Sequence, residues 1–460
     1  MIQKKSTNGY ILSTFTSCSL EYKPNTAGFY QRLSHLPGFA LLQSGDKYRG
    51  RYDIITAYPH DQFSVSRDSS RIGQAFEDFK SSLPSKAFNG DHPFQGGAIG
   101  YISYDLGAIQ SGIYSKAHTV IDDLPLLNMH FYDWAIIIDH HLSKVDIVAA
   151  HRCASTKAII EEIIHLWDTG QDFNDNFKCL TDFNPLVDWD EYQTSFEAIH
   201  RDLMWGRAYQ VNYALPFVAE YEGDPWHAYH AISQANPVPY SAFLRFNDFD
   251  VLSFSPERLL LHDDGQLFTS PIKGSSPRAK DTDTDNALKA SLKSSAKNKA
   301  ENIMIVDLLR NDLGKVAETG SVQVDALCEI QSFSQVHHLV SHIKARLKDG
   351  LSPIDTLAAL FPGGSITGAP KLEAMKIIDE HELYARGVYC GSIGYFSNHG
   401  RFDTSITIRT MLAKANHLYL QAGGGIVVDS NPEDEYHECY TKIKAIIKNL
   451  ECYKHTLTVA

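Results

Sequence analysis

The sequence predicts an α+β fold built on antiparallel sheet, and two features carry the prediction. One is a set of hairpin-like strand pairs in the middle of the chain, the other a strand meander near its end, with helices between them in place of regular βαβ crossovers. The runs 242–246 (AFLRF), 251–255 (VLSFS) and 267–272 (LFTSPI) are short, apolar and broken by turn residues, including the Asp-Asp-Gly at 263–265. They read as hairpin strands. The polar stretch 278–286 (RAKDTDTDN) reads as a surface loop. From 291 to 313 (SLKSSAKNKAENIMIVDLLRNDL) a helical period takes over, with Ile305, Leu308, Leu309 and Leu313 on one face of a single long helix. The meander follows as GSIGYFS, the turn NHG, one strand RFDTSITIRTMLA, the turn KANH and LYLQAGGGIVV. A loop then leads to a final amphipathic helix from about Glu433 to Leu450.

A chain of 460 residues has room for two or three domains or one large unit, and neither repeats nor linkers divide it. Its 43% apolar and 21% charged residues fit a folded globular protein, and 11% aromatics argue against disorder. The net charge of −13, without a basic run, opposes binding to nucleic acid or an acidic membrane surface. Seven scattered cysteines without a CxxC pair point to reduced thiols and no zinc site. Lys4 and Lys5 precede a stretch too polar for a signal-peptide core, and no segment is long and apolar enough to span a bilayer. A cytoplasmic location is the expectation.

Several residues are candidates for chemistry. Lys273 lies in TSPIKGSSPR, at the end of an apolar strand and before a Gly-Ser-Ser-Pro turn. Withdrawn from water, its amine would lose proton affinity and become nucleophilic; facing water, it would be an ordinary surface lysine. Glu257, in SFSPERLL on the preceding strand, is a candidate general acid, because burial raises a carboxyl pKa toward neutrality. His338, in QVHHLVS, is a third candidate, or else a hydrogen-bonded core histidine. Glu301 lies near the start of the long helix, where the dipole alone would favour an acid.

Glu435, Glu438 and Lys442 project from one face of the final helix, as a solvated ion-pair face also would. Carboxylates from two helices beside AGGGIVVDS suit Mg²⁺. Gly423, Gly424 and Gly425 would let the backbone approach a ligand and offer amides to a carboxylate, although a bulge needs the same glycines. PGGSITGAPK (362–371) lacks the adjacent Gly-Lys-Ser/Thr of a phosphate loop, which excludes a nucleoside triphosphatase. Its Ser365 and Thr367 fit an anion-binding helix start or plain capping equally well.

In chain order, SPER, PIKGSSPR, ENIMIVDLLRNDLGKV, VHHLVS, FPGGSITGAPK, CGSIGYFS, DTSITIRT and AGGGIVVDSNPEDEYHE resemble the signature blocks of the chorismate-utilising enzymes. That family includes the large subunits of anthranilate and aminodeoxychorismate synthases, isochorismate synthases and salicylate synthases. The blocks fall within roughly residues 190 to 450, and upstream RLSHLPGFALLQSG, PFQGGAIGYISYDLG and YDWAIIIDH resemble the N-terminal region of the aminodeoxychorismate branch. The resemblance implies an anthranilate-synthase-like sandwich of large antiparallel sheets with flanking helices. Residues 1–180 would supply the N-terminal part with tryptophan-pocket elements and 181–460 the chorismate-binding region, interleaved into one compact unit.

Related anthranilate synthases usually read PIAGT where aminodeoxychorismate synthases read PIKGT, so Lys273 selects the second branch. The resemblance implies that the Lys273 amine adds at C2 of chorismate as the C4 hydroxyl, protonated by Glu257, departs. Ammonia then attacks C4 and expels the lysine. Glu301 and Glu438, with Glu435, would hold Mg²⁺ against the substrate carboxylate. Arg409, Tyr395, Gly424, Gly425 and Lys442 would bind the enolpyruvyl carboxylate. Ser365 would pack near the substrate, and His338 matches a histidine that assists chemistry in the anthranilate branch.

Two positions depart from the family pattern: Ser275 for the usual Thr, and Arg207 in GRAYQVN where an acid is usual. The chain has no glutamine amidotransferase signature, and Cys390, read as lying within a strand, has no nucleophile elbow. Ammonia would come from a separate amidotransferase subunit in a heterodimer, in a route to 4-aminobenzoate and folate. Ser44, Arg51, Tyr52, Pro239, Tyr240 and Ser241 match a tryptophan pocket of the family, with core packing as the alternative. Other readings of the whole chain are an anthranilate synthase large subunit and a non-catalytic tryptophan-binding regulator.

Overall fold

Strands with large apolar residues on both faces need cover on both sides, and four layers supply it here. The computed structural model describes residues 15–23, 26–45, 50–84, 91–169, 175–333 and 336–453; Lys4 and Lys5 lie outside them. Among the described residues, one antiparallel sheet has 13 strands and another has 10. Along Phe249–Ser255, Val251 faces the other sheet with Ala242 and Leu244, while Leu252 and Phe254 face helices. Along Ser392–Ser397 of the smaller sheet, Ile393 and Tyr395 point inward and Phe396 points out, edge-on to Phe79 of helix Ala75–Ser82. The α+β class and the sandwich with flanking helices are as expected. No helix among the described residues is long and apolar enough to cross a membrane.

The smaller sheet runs Ile272–Pro277, Val336–Arg346, Gln266–Thr269, Arg258–Asp263, Phe402–Ile406, Ser392–Ser397, Gly97–Ile102, Leu127–Tyr132 and Asp61–Val65. The larger sheet includes, side by side, Tyr240–Arg245, Phe249–Ser255, Thr410–Lys414, His417–Ile426 and Gln210–Glu222. The expected hairpin across 263–265 forms, with Asp264 and Gly265 at φ 47° and 74°, the paired positive φ values of a tight two-residue turn.

The strand expected over 401–413 is two strands in two sheets. Phe402–Ile406 belongs to the smaller sheet and Thr410–Lys414 to the larger, with Arg409 at φ 53° in the link. Phe249–Ser255 passes the other way through Pro256 and Glu257 into Arg258–Asp263. The two links run side by side: Ile406 N donates to Glu257 O (3.0 Å), Phe254 N to Arg409 O (3.1 Å) and Ser255 Oγ to Ile406 O (2.6 Å). Apolar run length cannot reveal a strand that changes sheets, because both halves are buried.

Other boundaries also differ. The stretch read as loop at 278–286 becomes helix from Thr282: Asp281 accepts from Thr284 N, and Asp283 and Asp285 suit the first turn. The single helix expected over 291–313 breaks at Ser295, which ends Thr282–Ser294 and caps Ala296–Val316. The run 267–272 splits around Pro271, so Lys273 stands near the start of Ile272–Pro277, beside a bulge at Gly274 (φ 75°), rather than at a strand end. Leu252→Ala, at a side chain with 0% exposure, should lower unfolding free energy by about 2–5 kcal/mol, read as a lower urea midpoint at unchanged slope.

Candidate active site

The adjacent sheet crossings carry Glu257, whose carbonyl accepts from Ile406, and Arg409, whose carbonyl accepts from Phe254, and the strand Ile272–Pro277 carries Lys273. Part of the Lys273 side chain is open to solvent, but its amine is enclosed enough that desolvation lowers its pKa. Glu257 and then Lys442, Glu301 and Glu438 act on that amine electrostatically, so residues from four segments converge there. The Lys273 Nζ donates to the Ser365 carbonyl at 3.4 Å. Glu257 is buried at 6% exposure. Burial pushes its carboxyl pKa up to about 7, against the opposing effects of a hydrogen bond with the Ser365 side chain and the Lys273 charge. Burial thus favours the uncharged form of each, the state in which an amine can act as a nucleophile and a carboxyl as a general acid.

Ser365 lies in the short turn Gly364–Ile366 and does not cap the following helix Lys371–His381, whose cap position is Pro370. Thr367 Oγ1 donates to the Gly363 and Gly364 carbonyls. The capping reading of Ser365 and Thr367 therefore fails, because the cap position is Pro370 and their hydroxyls are directed to Glu257 and to the segment's own backbone. His338 is buried, with Nδ1 2.7 Å from Ser275 Oγ and its ring edge-on to Phe333 at 5.1 Å. It stands opposite Ser275 in the ladder, next to the Lys273–Leu339 pair. Arg409 is mostly buried, its pKa is lowered by desolvation, and no acidic side chain pairs with it among the described residues.

Glu435, Glu438 and Lys442 share one helix face, as their spacing predicted, and that face meets the glycine strand. A Cβ on Gly424 would lie 2.7 Å from Glu435 Oε2, 3.6 Å from Glu438 Oε1 and 3.8 Å from Lys442 Nζ. Glu435 is buried, accepts from Ser430 Oγ at 2.7 Å, and has its pKa raised mainly by burial. Glu438 pairs with Lys442 at 2.7 Å, and Lys442 also donates to the Gly423 carbonyl at 2.7 Å. Asn212 N donates to Thr367 O and Ala214 N to Glu382 Oε1, which turns both away from their partners Gly425 and Gly423. Tyr213 and Gly424 are therefore the hydrogen-bonded pair, and the Gly425 amide, unlike that of Gly424, points off the ladder.

The only trio of metal-donor atoms lying within 4.8 Å of one another among the described residues is Asp202, Glu380 and His381. Arg207 already occupies that cluster, at 2.9 Å from Asp202 and 2.8 Å from both Glu373 and Glu380. Glu301, Glu435 and Glu438 do not bring their oxygens within 4.8 Å of one another.

Ser44, Arg51, Tyr52, Pro239, Tyr240 and Ser241 all line one cavity of about 250 Å³ between the sheets. Tyr395 lines it too, with its hydroxyl accepting from Arg401 Nε at 3.0 Å. Tyr395 is turned inward by its place on Ser392–Ser397, into a cavity that Arg409 does not line. Arg51 is paired with Asp139 (2.7 Å), Arg258 with Asp403 (2.9 Å) and Arg401 with Asp263 (2.5 Å). Cys390 precedes the strand at φ 60°, and burial pushes its thiol up to about 12, an inert state.

Sequence reading missed Gln210 and Tyr389. Gln210 Nε2 would lie 2.3 Å from a Gly425 Cβ, and its Oε1 is buried without a protein partner. Tyr389 is buried and lies near Arg386 and Cys439 of the final helix. The glycine triplet hinted at a close neighbour, whereas Tyr389 carries no local signal.

A family model described as chorismate binding enzyme matches residues 38–448. The chain is 41% identical over 454 residues to aminodeoxychorismate synthase component 1 of Escherichia coli (strain K12), covering 94% of this chain and 98% of that one. It is 34% identical over 378 residues to anthranilate synthase component 1 of Acetivibrio thermocellus, covering 78% and 76%. The crystal structure of anthranilate synthase component I from Streptococcus pneumoniae TIGR4 aligns with a TM-score of 0.78 at 31% identity, over 86% of this chain and 92% of that one. Since the match takes in both sheet crossings, Lys273 and the glycine strand with most of its covering helix, this chain belongs to the chorismate binding enzyme family.

Proposed function

We propose that this chain aminates chorismate at C4 to give 4-amino-4-deoxychorismate, for 4-aminobenzoate and folate synthesis, using ammonia from a separate glutamine amidotransferase subunit. The observation that carries the reading is the desolvated Lys273 amine facing Glu257 across Ser365. The 41% identity to aminodeoxychorismate synthase component 1, whose name itself implies a second component, supports it.

In this mechanism the neutral Lys273 amine bonds to C2, the ring's diene electrons shift toward C4, and the C4–O bond breaks. The departing hydroxyl takes the Glu257 proton and leaves as water. Ammonia then bonds to C4, the electrons shift back, and the C2–nitrogen bond to Lys273 breaks. The proton lost by the incoming nitrogen returns to Glu257, and the enolpyruvyl group is retained. The unpaired Arg409 guanidinium receives the enolpyruvyl carboxylate, with the Gly425 amide and Lys442 beside it. His338 supports the bulge that carries Lys273. Mg²⁺, held by Glu301, Glu438 and Glu435, would neutralise the ring carboxylate when bound. The cavity lined by Arg51, Tyr52 and Tyr240 offers paired charges and aromatic faces suited to an amino acid such as tryptophan.

Incubation with chorismate, Mg²⁺ and ammonium should give an aminated product of retained enolpyruvyl mass; pyruvate release would instead favour anthranilate synthesis and defeat the proposal. Lys273→Ala should abolish a mass-detectable chorismate adduct and reduce kcat by on the order of 10²-fold or more. Glu257 acts in its protonated form, so kcat/KM should fall as pH rises through about 7, and in Glu257→Gln that limb should vanish along with ~10²–10⁴-fold of the rate. Protonation of Lys273 should lower the rate on the acid side. Arg409→Met should raise the KM for chorismate by roughly tenfold or more, measured at saturating ammonium.

A further inference from the structure

The turn Gly364–Ile366 touches both reacting side chains, through the Ser365 carbonyl on Lys273 and the Ser365 side chain on Glu257. Whatever anchors this turn therefore sets how the two groups meet. Two cations anchor the segment. Lys371 donates to the carbonyls of Leu360 (2.8 Å) and Pro362 (2.9 Å) and pairs with Asp312 at 2.6 Å. Arg386, with 2% exposure, donates to the Ile366 carbonyl at 3.0 Å from Nη1 and to the Asn212 carbonyl at 2.7 Å from Nη2.

Arg386 is itself oriented from behind. Glu382, the residue after helix Lys371–His381, accepts from its Nε at 2.9 Å and its Nη2 at 2.7 Å, and the guanidinium lies over the Tyr104 ring at 4.5 Å. Glu382 also accepts from the Ala214 amide at 3.0 Å. Asn212 and Ala214 belong to the strand paired with Gly425 and Gly423. One buried pair thus bridges the Ser365 turn to the strand backing the glycines. Each guanidinium nitrogen is engaged in a plane, and a planar fork fixes the spacing between its acceptors in a way an ammonium cannot. A buried ion pair is a poor source of net stability compared with apolar packing, so geometry is the better reason for one here.

We propose that Glu382 and Arg386 form a positioning pair for the reaction, holding the Ser365 turn at a set distance from the glycine-backing strand and so aligning Lys273 and Glu257 with the bound ring. This assignment rests on the amination reading above. It is tested in the full chain with chorismate, Mg²⁺ and ammonium, comparing parent, Arg386→Lys and Glu382→Gln for kcat, KM, pH profile and thermal unfolding. The expected result for folded Arg386→Lys is a KM within about threefold of the parent, with kcat reduced by on the order of 10²-fold. Its alkaline limb should move to higher pH, because the Ser365 hydrogen bond that favours the Glu257 carboxylate is loosened. Glu382→Gln should move both in the same direction by less.

Folded variants with the parent's kcat and pH profile overturn the pair's role, as does a loss of rate that tracks loss of folded protein while the limb stays in place. If Arg386→Lys cannot be recovered folded, Glu382→Gln decides on the same readouts. A parent that yields no aminated product defeats the amination reading and this role with it, whereas an active parent with unmoved variants defeats the positioning pair alone.

Discussion

The site depends on two chain segments crossing between sheets side by side. Each crossing interrupts its ladder, and the freed backbone groups are satisfied by the other crossing, through the bonds from Ile406 N to Glu257 O and from Phe254 N to Arg409 O. The mutual pairing makes a gap between sheets affordable without orphaned amides. It also leaves one carboxylate and one guanidinium beside that gap, carried by backbone that the two sheets hold rigid. Arg409 adopts a positive φ there, a conformation that a non-glycine residue takes when its surroundings dictate it.

Electrostatics then separates this place from the rest of the molecule. Several other arginines have acids in contact: Arg207 with three, Arg386 with Glu382, and Arg51, Arg258 and Arg401 with one each around the inter-sheet cavity. Arg409 has none among the described residues, so its desolvation is unrepaid until an anion arrives. Lys273 and Glu257 share a milder form of the same imbalance. Each is driven toward its neutral form by burial, and each partly restores the charge of the other. A small change in their separation moves both, which is why the anchoring of the Ser365 turn matters. On the far side of the glycine strand the absence of side chains lets Glu435 and Glu438 press against the backbone, keeping the acids within reach of the same space.

Much of the chemistry was legible in the chain as text. The blocks around Lys273, Glu257, Glu301, Arg409 and the glycine triplet pointed to one family, and the helical spacing of Glu435, Glu438 and Lys442 put them on one face, which the structure turns toward the glycines. Turn chemistry at 263–265 and the final helix were equally readable, because local backbone preference decides them. The failures have two causes. The helix start in the polar stretch at 278–286 and the break at Ser295 were set by local caps, Asp281 and Ser295, whereas the strand through Arg409 was divided by sheet partners distant in sequence.

The sequence by itself therefore determined the fold class and the inventory of reactive groups, which follow from short-range periodicity and residue types, and the family, which follows from the resemblance of its motif blocks. Only the tertiary structure decided which of those groups share a space. Tyr395 went to the inter-sheet cavity and Tyr389 to the neighbourhood of the final helix. Arg207 was neutralised by three acids while Arg409 was left unpaired. The physical reason is that desolvation and ion pairing depend on what packs around a side chain, and in a sandwich of antiparallel sheets those neighbours come from strands far apart along the chain.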